Sequence, residues 1–170
     1  MVLLEVCLLG CGGTMPTPER HLTALWTRYN GSGLLIDCGE GTQVSMRAQH
    51  LSFHAIDAIC LTHFHADHVC GLPGLLLSMG LSGRTEPVHM IGPEGLEIVV
   101  RCLQVVAPRL PFPLVFHELT QPEEELDVAG LRVTAFAADH SVPCYGYALE
   151  VRRSRRFLPE QARALNVPTP

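Results

Sequence analysis

The chain has 170 residues, of which 47% are hydrophobic, and a formal net charge of −5. This length suffices for one domain with a buried core and is too short for two ordinary domains. The negative charge argues against indiscriminate binding of nucleic acid by the whole surface, and no uninterrupted apolar run approaches the roughly 18 residues of a membrane span. We therefore expect a single soluble unit that stays in the cytoplasm and has no membrane partner.

The predicted elements of the first 62 residues are mostly strands. Apolar runs bounded by glycine predict a β-hairpin that turns at Gly31-Ser32-Gly33, then a helix and a buried strand. The strands are predicted at residues 2–9, 24–30, 34–38 and 55–62, and the helix at 42–49. Asp37 stands near the end of its strand, where it can either hydrogen-bond a neighbouring loop or cap the helix that follows.

A dense group of metal-ligand side chains follows the strand at 55–62, in the run His63-Phe64-His65-Ala66-Asp67-His68. On a helix His63 and His65 would lie about 200° apart, so an extended or turning segment is required for both to reach one ion. Asp67 continues this alternation and His68 leaves it. One short loop can thus present ligands in two directions, which favours two adjacent metals over one.

The rest of the chain alternates helices and strands and then turns to strands alone. Helices are predicted from Gly71 to about Met79 and from Pro93 to about Val106, and strands at 88–91, 114–119, 131–136 and 145–151. The acidic segment Gln121–Glu125 is predicted to be a solvated loop. The pattern indicates an α/β fold with ligands at strand ends.

Outside the histidine run, His140 is the best placed additional ligand. It follows the predicted strand at 131–136 and opens a loop, as His63 follows its own strand. The residues alone leave open whether His140 binds metal or lies on a surface loop. His117 lies within an alternating strand and is expected to pack or face solvent.

The seven cysteines include no Cys-x-x-Cys pair, which excludes a zinc ribbon and favours reduced thiols. Cys70 lies close enough to the histidine run to be a candidate that supports a ligand.

Basic residues concentrate near the end of the chain. All twelve are arginine, and four of them lie in Arg152-Arg153-Ser154-Arg155-Arg156. Composition leaves two interpretations, a solvated stretch or an element that grips phosphates. Beyond Val151 the periodic pattern ends, and we expect no closing element before Pro170.

Several of these segments resemble known families. Residues 62–68 resemble the H-x-H-x-D-H signature of the metallo-β-lactamase superfamily. Residues 12–20, 37–43 and 68–76 resemble ribonuclease Z, a family of tRNA 3′-processing endonucleases, and residues 140–147 resemble the next motif of that family. The resemblance covers the chain from end to end.

The resemblance implies an αββα sandwich with a mixed sheet, of which the C-terminal half is missing here. Residues 1–151 would form the N-terminal half of the domain, and residues 152–170 the start of a truncated tRNA-binding arm. A bridging aspartate and a last ligand histidine would lie beyond Pro170. A complete subunit would hold two Zn²⁺ ions, and this chain alone a single weakly held one.

The implied site has one zinc on His63, His65 and His140 and another on Asp67 and His68. Asp67 would also be the catalytic residue that accepts a proton from water. The nucleic-acid-binding residues would be Arg152, Arg153, Arg155 and Arg156.

The implied function is zinc-dependent removal of the 3′ trailer from precursor tRNA, leaving a 3′-hydroxyl, by a homodimer. The alternatives are a hydrolase of a small ester or cyclic nucleotide on the same fold, and an inactive truncated fragment.

Overall fold

Two β-sheets dominate the computed structural model, which describes residues 4–152 and 159–165. The larger sheet has six strands in sequential order. They are β1 Leu4–Gly10, β2 Ala24–Tyr29, β3 Ser32–Ile36, β4 Ile56–Cys60, β5 Val88–Pro93 and β6 Leu114–Leu119. Neighbours from β1 to β3 are antiparallel and neighbours from β3 to β6 are parallel, so the sheet is mixed as expected.

The smaller sheet is a three-stranded antiparallel meander of β7 Glu123–Val128, β8 Leu131–Ala137 and β9 Tyr145–Glu150. Strand β7 corrects the prediction of a loop at Gln121–Glu125. Within β7 the residues alternate between exposed and half-buried, with the half-buried Leu126 and Val128 packed against the core between the sheets. Acidic side chains occupy the outward positions of this edge strand, which made its sequence resemble a solvated loop.

Helices cover one face of the larger sheet, and the smaller sheet covers part of the other. The helices of this part of the chain are α1 Thr42–Ala48, α2 Ala66–Val69, α3 Leu72–Leu81 and α4 Leu96–Gln104, with a 3₁₀ turn at Phe53–Ala55. Leu35 packs in the core under the helices, while its neighbour Leu34 packs in the core between the sheets. Since the central strands are buried on both faces, their sequences are continuous apolar runs.

A further helix, α5 Pro159–Ala164, follows the second sheet. The expectation of no closing element is therefore wrong for these residues, where a proline at the first helical position suits a helix start. Arg153, Arg155 and Arg156 lie outside the described residues. Among the described helices, none combines the length and apolar character needed to cross a bilayer.

The carboxyl ends of the parallel strands lie at one edge of the larger sheet. Strand β4 ends there and is followed directly by the histidine run. The loop between β8 and β9 reaches the same edge, because the Tyr145 N–H donates a hydrogen bond of 2.9 Å to the Thr62 carbonyl. Together with the bond from the Tyr147 hydroxyl to the Leu61 carbonyl at 2.8 Å, it joins segments about 80 positions apart in the sequence.

Arg84 is a buried structural residue that the sequence patterns do not reveal. Its side chain is only 2% exposed, although it carries a charge. Its guanidinium donates to the carbonyls of Glu86, His54 and Pro87 at 3.0, 2.7 and 2.7 Å and pairs with Asp57 at 3.1 Å. It therefore joins the loop before β5 to the 3₁₀ turn and to β4.

We predict that Arg84→Met lowers the free energy of unfolding by about 3 kcal/mol, because buried carbonyls would lose their donors. Urea denaturation followed by circular dichroism measures this change. Arg109→Met, at an exposed arginine, is the matched control and should change the stability by less than about 0.5 kcal/mol. Equal stability of the two variants would contradict the structural role of Arg84.

Candidate metal centre

The histidine run begins where β4 ends. Leu61 still bonds to the neighbouring strand through its N–H to the Ile91 carbonyl at 2.7 Å, and the chain then leaves the sheet. No helix forms before His65, which has an extended backbone, and α2 begins at Ala66, in agreement with the predicted extended or turning segment. His63 is buried, at 6% exposure, whereas His65 is exposed.

Three imidazoles from two distant segments form a cluster. His63 Nε2 lies 3.1 Å from His65 Nδ1, and His140 Nε2 lies 3.4 Å from the same atom. The candidate ligand atoms of the three residues all lie within 4.8 Å of one another. Nitrogens that share a tetrahedral zinc at about 2.0–2.1 Å are separated by about 3.3 Å, so this arrangement can hold such an ion. The structure thus places His140 with the histidine run.

Asp67 and His68 lie beside this cluster. The rings of His63 and His68 have centroids 4.1 Å apart, and His68 Nε2 lies 3.7 Å from Asp67 Oδ2. Asp67 does not continue the strand alternation that the sequence predicted, because α2 begins one residue before it. The helical turn nevertheless keeps its carboxylate close to the imidazoles, as a second pair of candidate ligands.

The Asp67 carboxylate accepts a hydrogen bond from the backbone of the loop that follows β1. The Thr14 N–H donates to Asp67 Oδ2 at 3.0 Å. This hydrogen bond is the main cause of a lowered pKa of Asp67. The carboxylate is therefore ionised at neutral pH and available as an acceptor.

Asp37 is the buried anchor of the site, at 2% exposure. Its Oδ1 accepts the Thr62 N–H at 2.8 Å, and its Oδ2 accepts from His68 Nδ1 at 2.8 Å. The sequence left open whether Asp37 hydrogen-bonds a neighbouring loop or caps helix α1. The structure supports the first role, because the N-cap of α1 is Gly41. Asp37 itself has a positive φ of 59°, which short polar residues tolerate better than bulky ones.

Thr62 extends this network to a second imidazole. Its hydroxyl lies 2.9 Å from Asp37 Oδ2 and 2.9 Å from His63 Nδ1. One carboxylate thus orients His68 directly and His63 through a hydroxyl, which leaves Nε2 of both rings free for a metal. Sequence reasoning missed Thr62, although its place directly before the histidine run was a usable signal.

The two oriented imidazoles differ in basicity. Burial lowers the pKa of His63, and the charge of His68 lowers it further. Burial also acts to lower the pKa of His68, but the hydrogen bond and charge of Asp37, with the charge of Asp67, outweigh it and raise that pKa. Without a metal, His68 is therefore the more readily protonated of the pair.

Other predicted residues lie apart from the cluster. Arg152 lies just after the smaller sheet, where its Nη1 is 3.8 Å from Asp127 Oδ2. His117 pairs with Glu124 at 3.1 Å, in keeping with a packing or solvent-facing role. Cys70 is exposed.

A different cysteine lies at the metal site. Cys144 Sγ is 3.9 Å from His63 Nδ1, a contact that no sequence pattern predicted. Burial, and then the charge of Asp37, raise the pKa of Cys144, so its thiol stays protonated beside His63.

Comparison with known proteins places this geometry in a family. A family model described as Anti-Pycsar protein Apyc1 matches residues 4–152. A ribonuclease Z of Lachnoclostridium phytofermentans is 58% identical over 166 residues, which are 98% of this chain and 55% of that protein. The chain spans about half the length of the curated relatives it matches.

Solved structures agree on the fold. The short form of human tRNase Z has a TM-score of 0.77 and 30% identity, covering 88% of this chain and 65% of that one. The metallo-β-lactamase fold protein YhfI of Bacillus subtilis has a TM-score of 0.69 and 20% identity, over 86% of this chain and 57% of that one. The chain is thus a homologue of curated proteins named ribonuclease Z, at 41–58% identity over nearly its whole length. It has the metallo-β-lactamase fold and belongs to the family described as Anti-Pycsar protein Apyc1.

Proposed function

We propose that the protein containing this chain is a zinc-dependent endonuclease that removes the 3′ trailer from precursor tRNA and leaves a 3′-hydroxyl on the tRNA. The main support for this proposal is the cluster of three imidazoles, which has Asp67 and His68 beside it. The curated relatives of the chain are named ribonuclease Z. The donor set of neutral imidazoles and a carboxylate is one that zinc prefers.

In this proposal each complete subunit binds two zinc ions. One ion is held by His63, His65 and His140, and Asp67 and His68 contribute ligands to the other. Zinc bound at such a site supplies Lewis acidity and makes water a nucleophile near neutral pH. Asp67 orients the attacking water by accepting its hydrogen bond and takes up its proton. The Thr14 N–H at 3.0 Å fixes the carboxylate in position for this role.

Asp37 and Thr62 act as positioning residues in the same proposal. Asp37 lies 2.8 Å from Nδ1 of His68, and the Thr62 hydroxyl lies 2.9 Å from Nδ1 of His63. Neither residue occupies the Nε2 side of these rings. By fixing which nitrogen of each ring carries the proton, they keep Nε2 of both imidazoles able to bind metal.

The RNA-binding part of the proposal concerns the arginine run. Residues 1–151 form the N-terminal half of the catalytic domain, and residues 152–170 begin an arm that contacts the tRNA backbone. Arg152, Arg153, Arg155 and Arg156 would bind phosphates, for which the planar guanidinium is well suited.

We also propose that the protein is a cytoplasmic homodimer. Exposed apolar side chains on α4 and directly after it, such as Ile98 at 67% and Val105 at 73%, support self-association.

We predict that His140→Ala weakens the binding of one zinc by at least about 100-fold, because an ion loses a direct ligand. Competition titration with a zinc chelator measures the affinity, and elemental analysis the content. His54→Ala is the matched control, since His54 is exposed and lies in the 3₁₀ turn away from the cluster. Unchanged zinc affinity in the His140 variant would exclude it as a ligand.

For Asp37→Asn we predict a zinc affinity lower by about 10- to 100-fold, the range found when outer partners of metal ligands are lost. In the metal-free protein the pKa of His68 should also fall, because Asp37 is the main group that raises it. Titration of the histidine ring protons by NMR measures that pKa. If the His68 pKa stayed the same or rose, the assigned hydrogen bond would be wrong.

The function itself is tested with precursor tRNA and the zinc-loaded full-length protein. We expect one cut that leaves a 3′-hydroxyl on the tRNA. Replacing Arg152, Arg153, Arg155 and Arg156 together with glutamine should lower kcat/KM for precursor tRNA, relative to bis(p-nitrophenyl) phosphate, by at least about tenfold, since phosphate contacts dominate affinity for RNA.

The control for this experiment replaces two exposed arginines elsewhere, Arg47 and Arg109, with glutamine. It should leave the ratio of the two kcat/KM values unchanged. Hydrolysis of the aryl phosphodiester without any cleavage of precursor tRNA would instead favour a hydrolase of small esters on the same fold.

A further inference from the structure

The members of the three-imidazole cluster come from two different sheets. His63 and His65 follow β4 of the larger sheet, and His140 lies in the loop between β8 and β9 of the smaller sheet. Zinc binds nitrogen ligands at about 2.0–2.1 Å and tolerates deviations of only about 0.2 Å. Tight binding therefore requires that the spacing of the two sheets is closely fixed at this edge.

The Tyr147 side chain crosses the space between the sheets near the metal edge. It projects from β9, and its ring packs against the core between the sheets. Its hydroxyl donates a hydrogen bond of 2.8 Å to the Leu61 carbonyl. Leu61 directly follows β4 and stands two residues before His63. A side chain of the smaller sheet is thus attached to the backbone that carries two of the imidazoles.

Leu61 is a firm point of attachment. It is fully buried, and its N–H donates to the Ile91 carbonyl at 2.7 Å, which continues the pairing of β4 with β5. Burial raises the pKa of Tyr147, so its hydroxyl keeps its proton and remains a donor. A buried carbonyl that loses its donor is costly, which favours keeping this bond. The bond therefore holds β9 at a set distance from the larger sheet.

A backbone hydrogen bond supports the same contact. The Tyr145 N–H donates to the Thr62 carbonyl at 2.9 Å. Alternate residues at the start of β9 thus hold consecutive residues at the end of β4. His140 precedes Tyr145 by only five residues, so the position of β9 limits where the His140 ring can lie. In the structure its Nε2 is 3.4 Å from His65 Nδ1.

We propose that Tyr147 is a positioning residue of the metal centre, whose hydroxyl fixes the spacing of the two sheets and so holds His140 within reach of an ion bound by His63 and His65. The inference rests on the proposed function, since it concerns the first of the two zinc ions. Tyr147 itself binds no ion in this proposal and takes no part in the bond cleavage.

The first test is Tyr147→Phe in the full-length protein, which removes the hydroxyl and keeps the ring. We expect the zinc of the three-imidazole cluster to bind about tenfold more weakly. This is the lower end of the range for lost outer partners, because Tyr147 acts through the backbone. Competition titration with a zinc chelator measures both affinities. The step that is weakened in His140→Ala identifies the ion of the cluster, and the affinity of the other ion should change by less than about threefold.

The matched control is Tyr145→Phe, because both tyrosines lie on β9 and pack against the same core. The Tyr145 hydroxyl donates to the carbonyls of Gln121 and Leu119 at 3.0 and 3.4 Å, and not to the histidine run. This variant should keep both zinc affinities, even where it lowers the urea midpoint of unfolding as Tyr147→Phe does.

A double variant separates positioning from a general loss of stability. If Tyr147 acts through His140, the two substitutions are coupled, and Tyr147→Phe should lower the zinc affinity by less than about twofold in a His140→Ala protein. An effect on stability alone would weaken zinc binding to the same extent in both backgrounds.

Four results would overturn the inference: an unchanged zinc affinity in Tyr147→Phe, an equal loss in Tyr145→Phe, an equal loss in the His140→Ala background, or failure of Tyr147→Phe to fold. If precursor tRNA is cleaved but the coupling to His140 is absent, the proposed function stands and the positioning role fails. If the coupling is present and the zinc-loaded full-length protein does not cleave precursor tRNA, the positioning role stands and the proposed function fails.

Discussion

The candidate site depends on one buried carboxylate. Asp37 is almost inaccessible to solvent and accepts hydrogen bonds from the Thr62 backbone, the Thr62 hydroxyl and the His68 ring. A buried charge of this kind is tolerated only when its oxygens are fully satisfied. Here the groups that satisfy it belong to the histidine run and to Thr62 directly before it. The same hydrogen bonds therefore satisfy the buried Asp37 carboxylate and orient the imidazoles.

The architecture explains why this network can form where it does. Asp37 follows β3 and Thr62 follows β4, and these strands are parallel neighbours. The Asp37 N–H bonds to the Cys60 carbonyl at 2.8 Å, which continues the pairing beyond the strands. Parallel pairing thus sets the two loops side by side before any side chain makes a contact. The imidazole cluster and the carboxylate of Asp37 therefore both lie at this edge of the sheet.

Sequence patterns predicted most of this arrangement, because apolar periodicity and glycine turns are local signals. The central strands carry such signals and were predicted correctly, and the non-helical path from His63 to His65 agrees with the prediction, whereas Asp67 and His68 lie in α2. Strand β7 was not, since its outward acids hide the alternation of Leu126 and Val128. The roles of Arg84 and Cys144 could not be predicted, because each depends on groups far away in the sequence that only the folded chain brings near.

The meeting of His65 and His140 has a further consequence. These residues are 75 positions apart, and their ring nitrogens lie 3.4 Å from each other. An ion held by both would tie the chain much as a covalent cross-link does, closing a loop of that length. For a cross-link of this span the loss of disorder in the unfolded chain is worth on the order of 4 kcal/mol. The proposed cofactor would then act on the folding equilibrium as well as on the chemistry, and the domain and its zinc would become stable together.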